Sequence, residues 1–588
     1  MVRKGIKSAY AHLKKQSFVS GALTLAGASI VCRLLGVGLR IPLANIVGNY
    51  GMGLYQMVFP LYALLLIVSS AGVPIAISKM VARSVSGQAG ERGDTQTTSL
   101  HRSAKQAEDQ RGVHVCQSRT SSHASPPQIL INAIVLLGTI GLVISALFFG
   151  LSHLIASLQG NTQIGPVYMA IAPAVFLVCI IGAFRGYFQG LGNMIPTGTS
   201  QIVEQIVKVG TGLALAILLL PHGVAWAVFG AILAVTISEL IALVVLILIY
   251  LIHRKRLVNA CRGGNLPPEK QTPSIKPALS IRLMWNILKK SFPITLLASV
   301  FPLLLVFDSM VVINMLRSGG ASETVATQLY GISSGTVHTL INMPAVLGVA
   351  IGMAVIPMVA RLLAQKNIDE AQQKFALALK LIFVFGLFFA LFYIVFGREM
   401  IILLYERAFN GNADHLHIAS ILLKIEAGMI LLMGASQVFT SLLQGASKSY
   451  QPLLALAIGG VAKIAFQLVF IRTPMGIFAV SIGNVLMFAI AFSINLFFVW
   501  RFFKKQGIPR EKRSINWRMV GKLAILATVY VGLLAALVFL LPRGKYWILL
   551  GGAVATLTYA TLVWLLGIFK KPNALPNNPQ KSQPTSAS

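Results

Sequence analysis

Apolar runs of about 20 residues or more recur along the whole chain, parted by short polar or basic joints, and a run of that length crosses a membrane as one helix. They extend over 18–42, 53–82, 129–157, 165–188, 196–220, 223–252, 286–316, 326–362, 374–397, 416–446, 452–472, 475–500, 518–541 and 546–569, about 14 spans. Barrel strands would be shorter and would alternate in polarity. The pattern predicts an all-α, polytopic membrane protein.

Two stretches interrupt the pattern. Residues 84–128 are rich in Ser, Thr, His, Arg and Gln without helical or strand period, and read as a poorly ordered loop. Residues 253–285 are basic and carry Pro267, Pro268, Pro273 and Pro277, which marks a linker lying on anionic lipid. The expected organisation is an amino-terminal segment 1–17, a first lobe 18–252, the linker 253–285, a second lobe 286–500, a basic loop with two further helices over 501–569, and a Pro, Ser and Asn rich tail 570–588.

An internal repeat supports the two lobes. Met80-Val-Ala-Arg ends the second span and Met358-Val-Ala-Arg the eighth, with Ala76 and Ala354 four places before each. Phe184, Gln189, Gly190 and Lys208 recur at the same spacing as Phe439, Gln444, Gly445 and Lys463. Spans 1–6 therefore overlay spans 7–12, a duplicated plan with a site between pseudo-symmetric lobes. Gly72 and Pro74 are expected to break the second span, and Pro344 and Gly348 the eighth, as hinges or as close-packing positions.

Charge changes the picture in one respect. A formal net charge of +33 in a soluble protein would suggest nucleic acid. Here 56% of residues are hydrophobic and the mean hydropathy is +0.77, so the basic residues are read as loop anchors and no nucleic-acid partner is expected. They collect before the first span (Arg3, Lys4, Lys7, Lys14, Lys15), after the sixth (Arg254, Lys255, Arg256, Arg262) and after the twelfth (Arg501, Lys504, Lys505, Arg510, Lys512, Arg513). The positive-inside rule then puts both termini in the cytoplasm. The first run is too long for a signal peptide and lacks a clean cleavage site, so it is expected to stay as a span. Cys32, Cys116, Cys179 and Cys261 are scattered, and neither a disulfide framework nor a metal site follows from them.

The candidate chemistry is the set of polar residues inside apolar runs. Arg33 and Arg40 are seven residues apart in the first span, close to two helical turns, so both leave one face about 10 Å apart. Charges at mid-bilayer cost about 2.5–3.5 kcal/mol on insertion scales, which favours a wet cleft for that face; snorkelling to headgroups is the plainer account of Arg40. Gln201, Glu204, Gln205 and Lys208 form a stripe on the fifth span, with Glu204 and Lys208 as an i,i+4 pair. They line a cavity or satisfy one another. Lys463 and Gln467 are the matching stripe in the second lobe. Asp308 is read as the counter-ion of Arg33, a coupling carboxylate, or an interhelical hydrogen-bond partner, and Glu239 as paired to a neighbour or as a second coupling or counter-ion residue. Arg185 falls at a predicted cytoplasmic end and reads as snorkelling.

Together Arg33-Leu-Leu-Gly, Arg40-Ile-Pro-Leu, Gly51-Met-Gly-Leu-Tyr-Gln-Met, Ala76-Ile-Ser-Lys, Arg185-Gly-Tyr-Phe-Gln-Gly, Ile195-Pro-Thr, Glu204-Gln, Asn342-Met-Pro-Ala and Leu443-Gln-Gly resemble the oligosaccharide flippases of the stage V sporulation protein B type. That family is related to the lipid II flippases and to the multidrug and toxic-compound extrusion exporters. The resemblance runs from about Phe18 to Phe569. It implies two six-helix lobes plus two carboxy-terminal helices, and alternating-access transfer of an undecaprenyl-pyrophosphate-linked oligosaccharide across the bacterial cytoplasmic membrane. No cofactor is expected, only coupling by protons, sodium ions or the membrane potential, and the protein is expected to act as a monomer. An ion-coupled drug or cation antiporter is the second reading; it needs carboxylates in the first-lobe cavity, where the first span offers cations. An enzyme is not expected, because the predicted outer loops are too short to carry positioned acids and bases.

Overall fold

The computed structural model describes residues 18–70, 72–84, 125–262, 279–409, 411–507, 517–540 and 545–569. The amino-terminal segment, nearly all of the polar loop, most of the linker and the tail expected above lie outside the described residues. Helices account for nearly everything described, and no strand occurs among these residues.

In chain order the helices are α1 (Phe18–Ser70), α2 (73–84), α3 (Pro126–Gly150), α4 (Ser152–Leu158), α5 (Gly165–Gly190), α6 (Ile195–Leu219), α7 (Val224–Arg262), α8 (Ile281–Ser318), α9 (Glu323–Tyr330), α10 (His338–Ala364), α11 (Ile368–Phe409), α12 (Ala413–Ala427), α13 (Met429–Gly445), α14 (Tyr450–Phe470), α15 (Phe478–Lys505), α16 (Trp517–Leu540) and α17 (Lys545–Leu565). Among the described residues 13 helical stretches are long and apolar enough to cross a membrane. One of them, Gly27–Ser84, has 58 residues. A straight helix of that length would measure about 87 Å, almost three bilayer cores. It instead turns at Gly48 (φ 68°, ψ −176°), with the first expected span before the turn and the second after it.

That turn is held by α11, far along the chain. Positive φ suits glycine, which has no Cβ to clash. Asn45, one turn earlier, donates from Nδ2 to the Leu404 carbonyl at 2.7 Å and accepts from the Ala408 amide at 3.2 Å. α11 leaves helical geometry between those two residues, at Tyr405 (φ −128°, ψ 23°), and one amide side chain pairs both freed groups.

The repeat is visible as contact. A methyl group added at Gly190 would meet Val81 Cβ at 2.6 Å and the Ser78 carbonyl oxygen at 2.9 Å; one added at Gly445 would meet Val359 Cβ at 3.1 Å and the Ile356 carbonyl oxygen at 2.9 Å. These are corresponding positions under the sequence overlay. Gly186 on Pro74 and Gly352 on Ser441 repeat the pattern one turn away.

Where the sequence predicts breaks, one half differs. Gly72 lies outside the helices, packs on the Ser291 backbone of α8, and its amide donates to Thr295 Oγ1 at 3.2 Å. α10, however, runs unbroken through Pro344 and Gly348. Proline removes the hydrogen bond to the carbonyl four residues back, and here Tyr393 Oη donates to that carbonyl, on Leu340, at 3.1 Å. Gly348 is a packing position, against Gly434. The irregular turn of this span lies earlier, at Gly331–Val337, which is π-helical.

α16 and α17 pack on α11, where Tyr559 Oη donates to the Val384 carbonyl at 2.6 Å and Phe388 faces Tyr530 and Tyr559. Replacing Asn45 by Ala strands a carbonyl and an amide, each worth about 1–3 kcal/mol when left unpaired. The variant should unfold at a clearly lower denaturant or temperature midpoint in detergent; an unchanged midpoint would contradict this role for Asn45.

Candidate functional site

The two arginines of α1 lack the carboxylate partners that Arg185, Lys208 and Lys463 have. Arg33 is largely uncovered by protein and Arg40 is half-buried, with its guanidinium carbon 5.5 Å from the Phe59 ring centroid. The charge of Arg40 reaches Tyr55 on α1 and Tyr405 on α11, which belong to opposite halves of the bundle. Among the described residues neither arginine has a carboxylate within ion-pair distance.

Beside them lies a closed charge cluster. Glu204 takes Arg185 Nη2 on one oxygen at 3.0 Å and Lys208 Nζ on the other at 3.0 Å. Gln205 Nε2 donates to Glu204 at 3.2 Å, and Arg185 Nε donates to Ser200 Oγ at 3.2 Å. The charges of this cluster reach Cys32, the residue before Arg33 and about 100° round the helix from it, so α5 and α6 set it against the neighbouring face of α1. Arg185 thus does not snorkel as expected. It sits one helix away from Glu204, and a buried carboxylate draws it inward more strongly than a distant headgroup can. Gln201 points its Oε1 into a buried position without a hydrogen-bond partner.

Glu239 on α7 is buried and accepts from Tyr62 Oη at 3.2 Å on one oxygen, while its second oxygen has no hydrogen-bond partner. Arg185, Lys208 and Glu204 all act on it electrostatically, but both cations are already committed to Glu204.

Asp308 does not meet Arg33. Its partner is Lys463 Nζ on α14 at 2.6 Å, and both residues are buried. Helix spacing can place Asp308 at a level in the membrane, but which neighbour faces it depends on how α8 packs. Gln467, one turn beyond Lys463, is fully buried with both amide atoms unpaired. Gly483 of α15 backs onto both residues, so they lie inside the packing between helices and do not line open space.

One more cluster escapes sequence reasoning. Glu426 on α12 is fully buried; it accepts from Ser481 Oγ at 2.8 Å and Asn484 Nδ2 at 3.2 Å, and His338 Nδ1 lies 3.9 Å from its other oxygen. An acid inside an apolar run was the available signal, but its partners come from two other helices, α15 and α10. Lys424, two residues away, is exposed on another face, as the spacing predicts. No group of three or more His, Cys, Asp or Glu side chains able to hold a metal ion occurs among the described residues.

A bundle of apolar helices with intramembrane charges facing its interior belongs to the multi-pass membrane transport proteins. The chain belongs to the polysaccharide biosynthesis protein family, whose sequence profile matches residues 18–101 and 111–363, and the MatE profile matches residues 302–469. Stage V sporulation protein B of Bacillus subtilis (strain 168) is 26% identical over 481 residues, 80% of this chain and 82% of that protein. Lipid II flippase MurJ of the same organism is 23% identical over 542 residues, covering 90% and 88%. Among solved structures, lipid II flippase MurJ in an inward closed conformation superposes with a TM-score of 0.61 at 13% identity, over 92% of this chain and 98% of that one. An inward-facing multidrug resistance transporter of the MATE family superposes with a TM-score of 0.55 at 14% identity, over 83% and 98%. These likenesses establish a shared fold.

Removing one partner from the Glu204 cluster leaves uncompensated buried charge, at a cost of about 3–5 kcal/mol. Glu204→Gln should therefore destabilise the protein strongly, and adding Lys208→Met should recover part of the loss. A double-mutant cycle of unfolding midpoints checks this; strictly additive losses would show that the groups do not act as a unit.

Proposed function

We propose that this protein is a flippase for a lipid-linked oligosaccharide, with Arg33 and Arg40 holding the anionic pyrophosphate head group. One observation carries the reading. Arg185, Lys208 and Lys463 each have a carboxylate partner within 3.0 Å, while Arg33 and Arg40 have none among the described residues. Cations left unpaired in a membrane cleft call for an anionic ligand, and the planar guanidinium fork matches a phosphate oxygen pair while staying charged.

In this reading the cleft between the two halves admits the head group, and the halves rock to expose it to the opposite side. Glu204, Gln205, Lys208 and Gln201 bound the sugar-facing wall. Energy comes from protons, sodium ions or the membrane potential. The protein works as a monomer among anionic lipids in the bacterial cytoplasmic membrane, with both termini inside. The chemistry needed is binding and release, so no enzymatic step is assigned. The names of the relatives, a sporulation protein and a lipid II flippase, support cargo of this class.

A second reading, ion-coupled export of cationic drugs, is favoured by Glu239, whose unpaired carboxylate oxygen offers a site for a cation or proton. Proton- or sodium-driven export of a cationic dye would support it.

Each charge-assisted hydrogen bond to phosphate contributes about 1.5–3 kcal/mol, so losing both arginines should slow transfer by well over tenfold. Arg33→Ala with Arg40→Ala, reconstituted at wild-type levels in vesicles, should lose flipping of lipid II or of other undecaprenyl-linked sugars, whichever the wild type carries. Full activity of the double variant would refute the assignment of these residues.

A further inference from the structure

The two halves of the bundle meet on the face of the Gly48 turn through paired backbone defects. Pro60 cannot donate to the Gln56 carbonyl four residues back; Tyr330 Oη of α9 donates to it instead, at 3.4 Å. In the opposite direction, Gln56 Nε2 donates to the Ser334 carbonyl at 2.5 Å. An ordinary α-helix would bond that carbonyl to the His338 amide, but in the π-helical turn the His338 amide bonds to Ser333. Each half thus leaves a carbonyl free and the other half satisfies it, both times through Gln56.

Glycines permit the approach. A Cβ on Gly331 would collide with the Asn49 carbonyl and the Gly53 amide, and a Cβ on Gly53 with the Thr327 carbonyl. Side-chain bonds surround this contact: Asn314 Nδ2 donates to the Leu158 carbonyl at 2.7 Å, Arg317 Nη1 to the Gly160 carbonyl at 2.9 Å, and Gln159 Nε2 to Ser309 Oγ at 3.1 Å.

We infer that the π-helical turn Gly331–Val337 is a two-state latch, held in π form by Gln56 while the halves touch on this face and relaxing to α form when they part. Once Gln56 withdraws, the Ser334 carbonyl is orphaned in a setting with little water to replace it. The nearest donor is the His338 amide, which becomes available if the turn tightens by one residue. That change rotates the chain on the two sides of the turn relative to each other by about 100°. His338 is the first residue beyond the turn, and its imidazole would leave Glu426, so the state of the face-to-face contact is transmitted to a buried carboxylate on α12. The latch concerns the contact between the halves and does not depend on the cargo.

The test uses the full-length protein without substrate. Gln56→Ala keeps the glycine contact and removes the cap, and Gly331→Ala prevents the approach. Passage between the two forms leaves the amides at the end of the turn momentarily unpaired, and without Gln56 that opening is easier, so amide hydrogen exchange should be about tenfold faster at His338 and Thr339 in Gln56→Ala, a shift of about 1.4 kcal/mol. Spin labels at Thr162→Cys and Thr324→Cys in a cysteine-free background, both exposed on this face, should gain a longer-distance population in both variants. Unchanged exchange overturns the π-to-α relaxation. Faster exchange with unchanged distances overturns its link to separation of the halves. Should Gly331→Ala fail to fold, Gln56→Ala carries both readouts.

Discussion

A membrane interior supplies almost no water to satisfy a backbone group that has lost its helical partner, and much of this bundle is arranged around that constraint. At three departures from regular helix a side chain from another segment closes the gap. Asn45 serves the kink at Tyr405, Tyr393 serves the carbonyl released by Pro344, and Tyr330 serves the carbonyl released by Pro60. The helices are not interchangeable rods, because each defect selects the neighbour that can repair it. Packing order follows from these bonds as much as from apolar contact, which in lipid offers little preference for one helix over another.

Charge obeys the same rule. Buried Glu204 gathers two cations, Asp308 one lysine, and Glu426 two hydrogen-bond donors and a histidine. Corresponding lysines, Lys208 and Lys463, are neutralised differently, one by its own helix and one by α8. These two lysines, at matching places in the sequence repeat, are both largely buried without sharing a partner. Against that background the two arginines of α1 are the departure, without a carboxylate partner among the described residues, and the charge of Arg40 reaches Tyr55 and Tyr405 on opposite halves of the bundle.

The sequence by itself determined the all-helical, membrane-spanning class, because runs of apolar residues long enough to cross a bilayer have few alternatives. It determined the Glu204–Lys208 pair too, since an i,i+4 contact lies within one helix. The segments Met80-Val-Ala-Arg and Met358-Val-Ala-Arg, matched in sequence, take similar glycine contacts at Gly190 and Gly445. Only the tertiary structure decided that Asp308 faces Lys463 and not Arg33, that Arg185 turns inward, and that the eighth span carries its irregular turn at Gly331–Val337 and not at Pro344. In each case the outcome depends on which side chain a second helix presents across a few ångströms. Periodicity tells a helix its own faces and nothing of the neighbour that meets them.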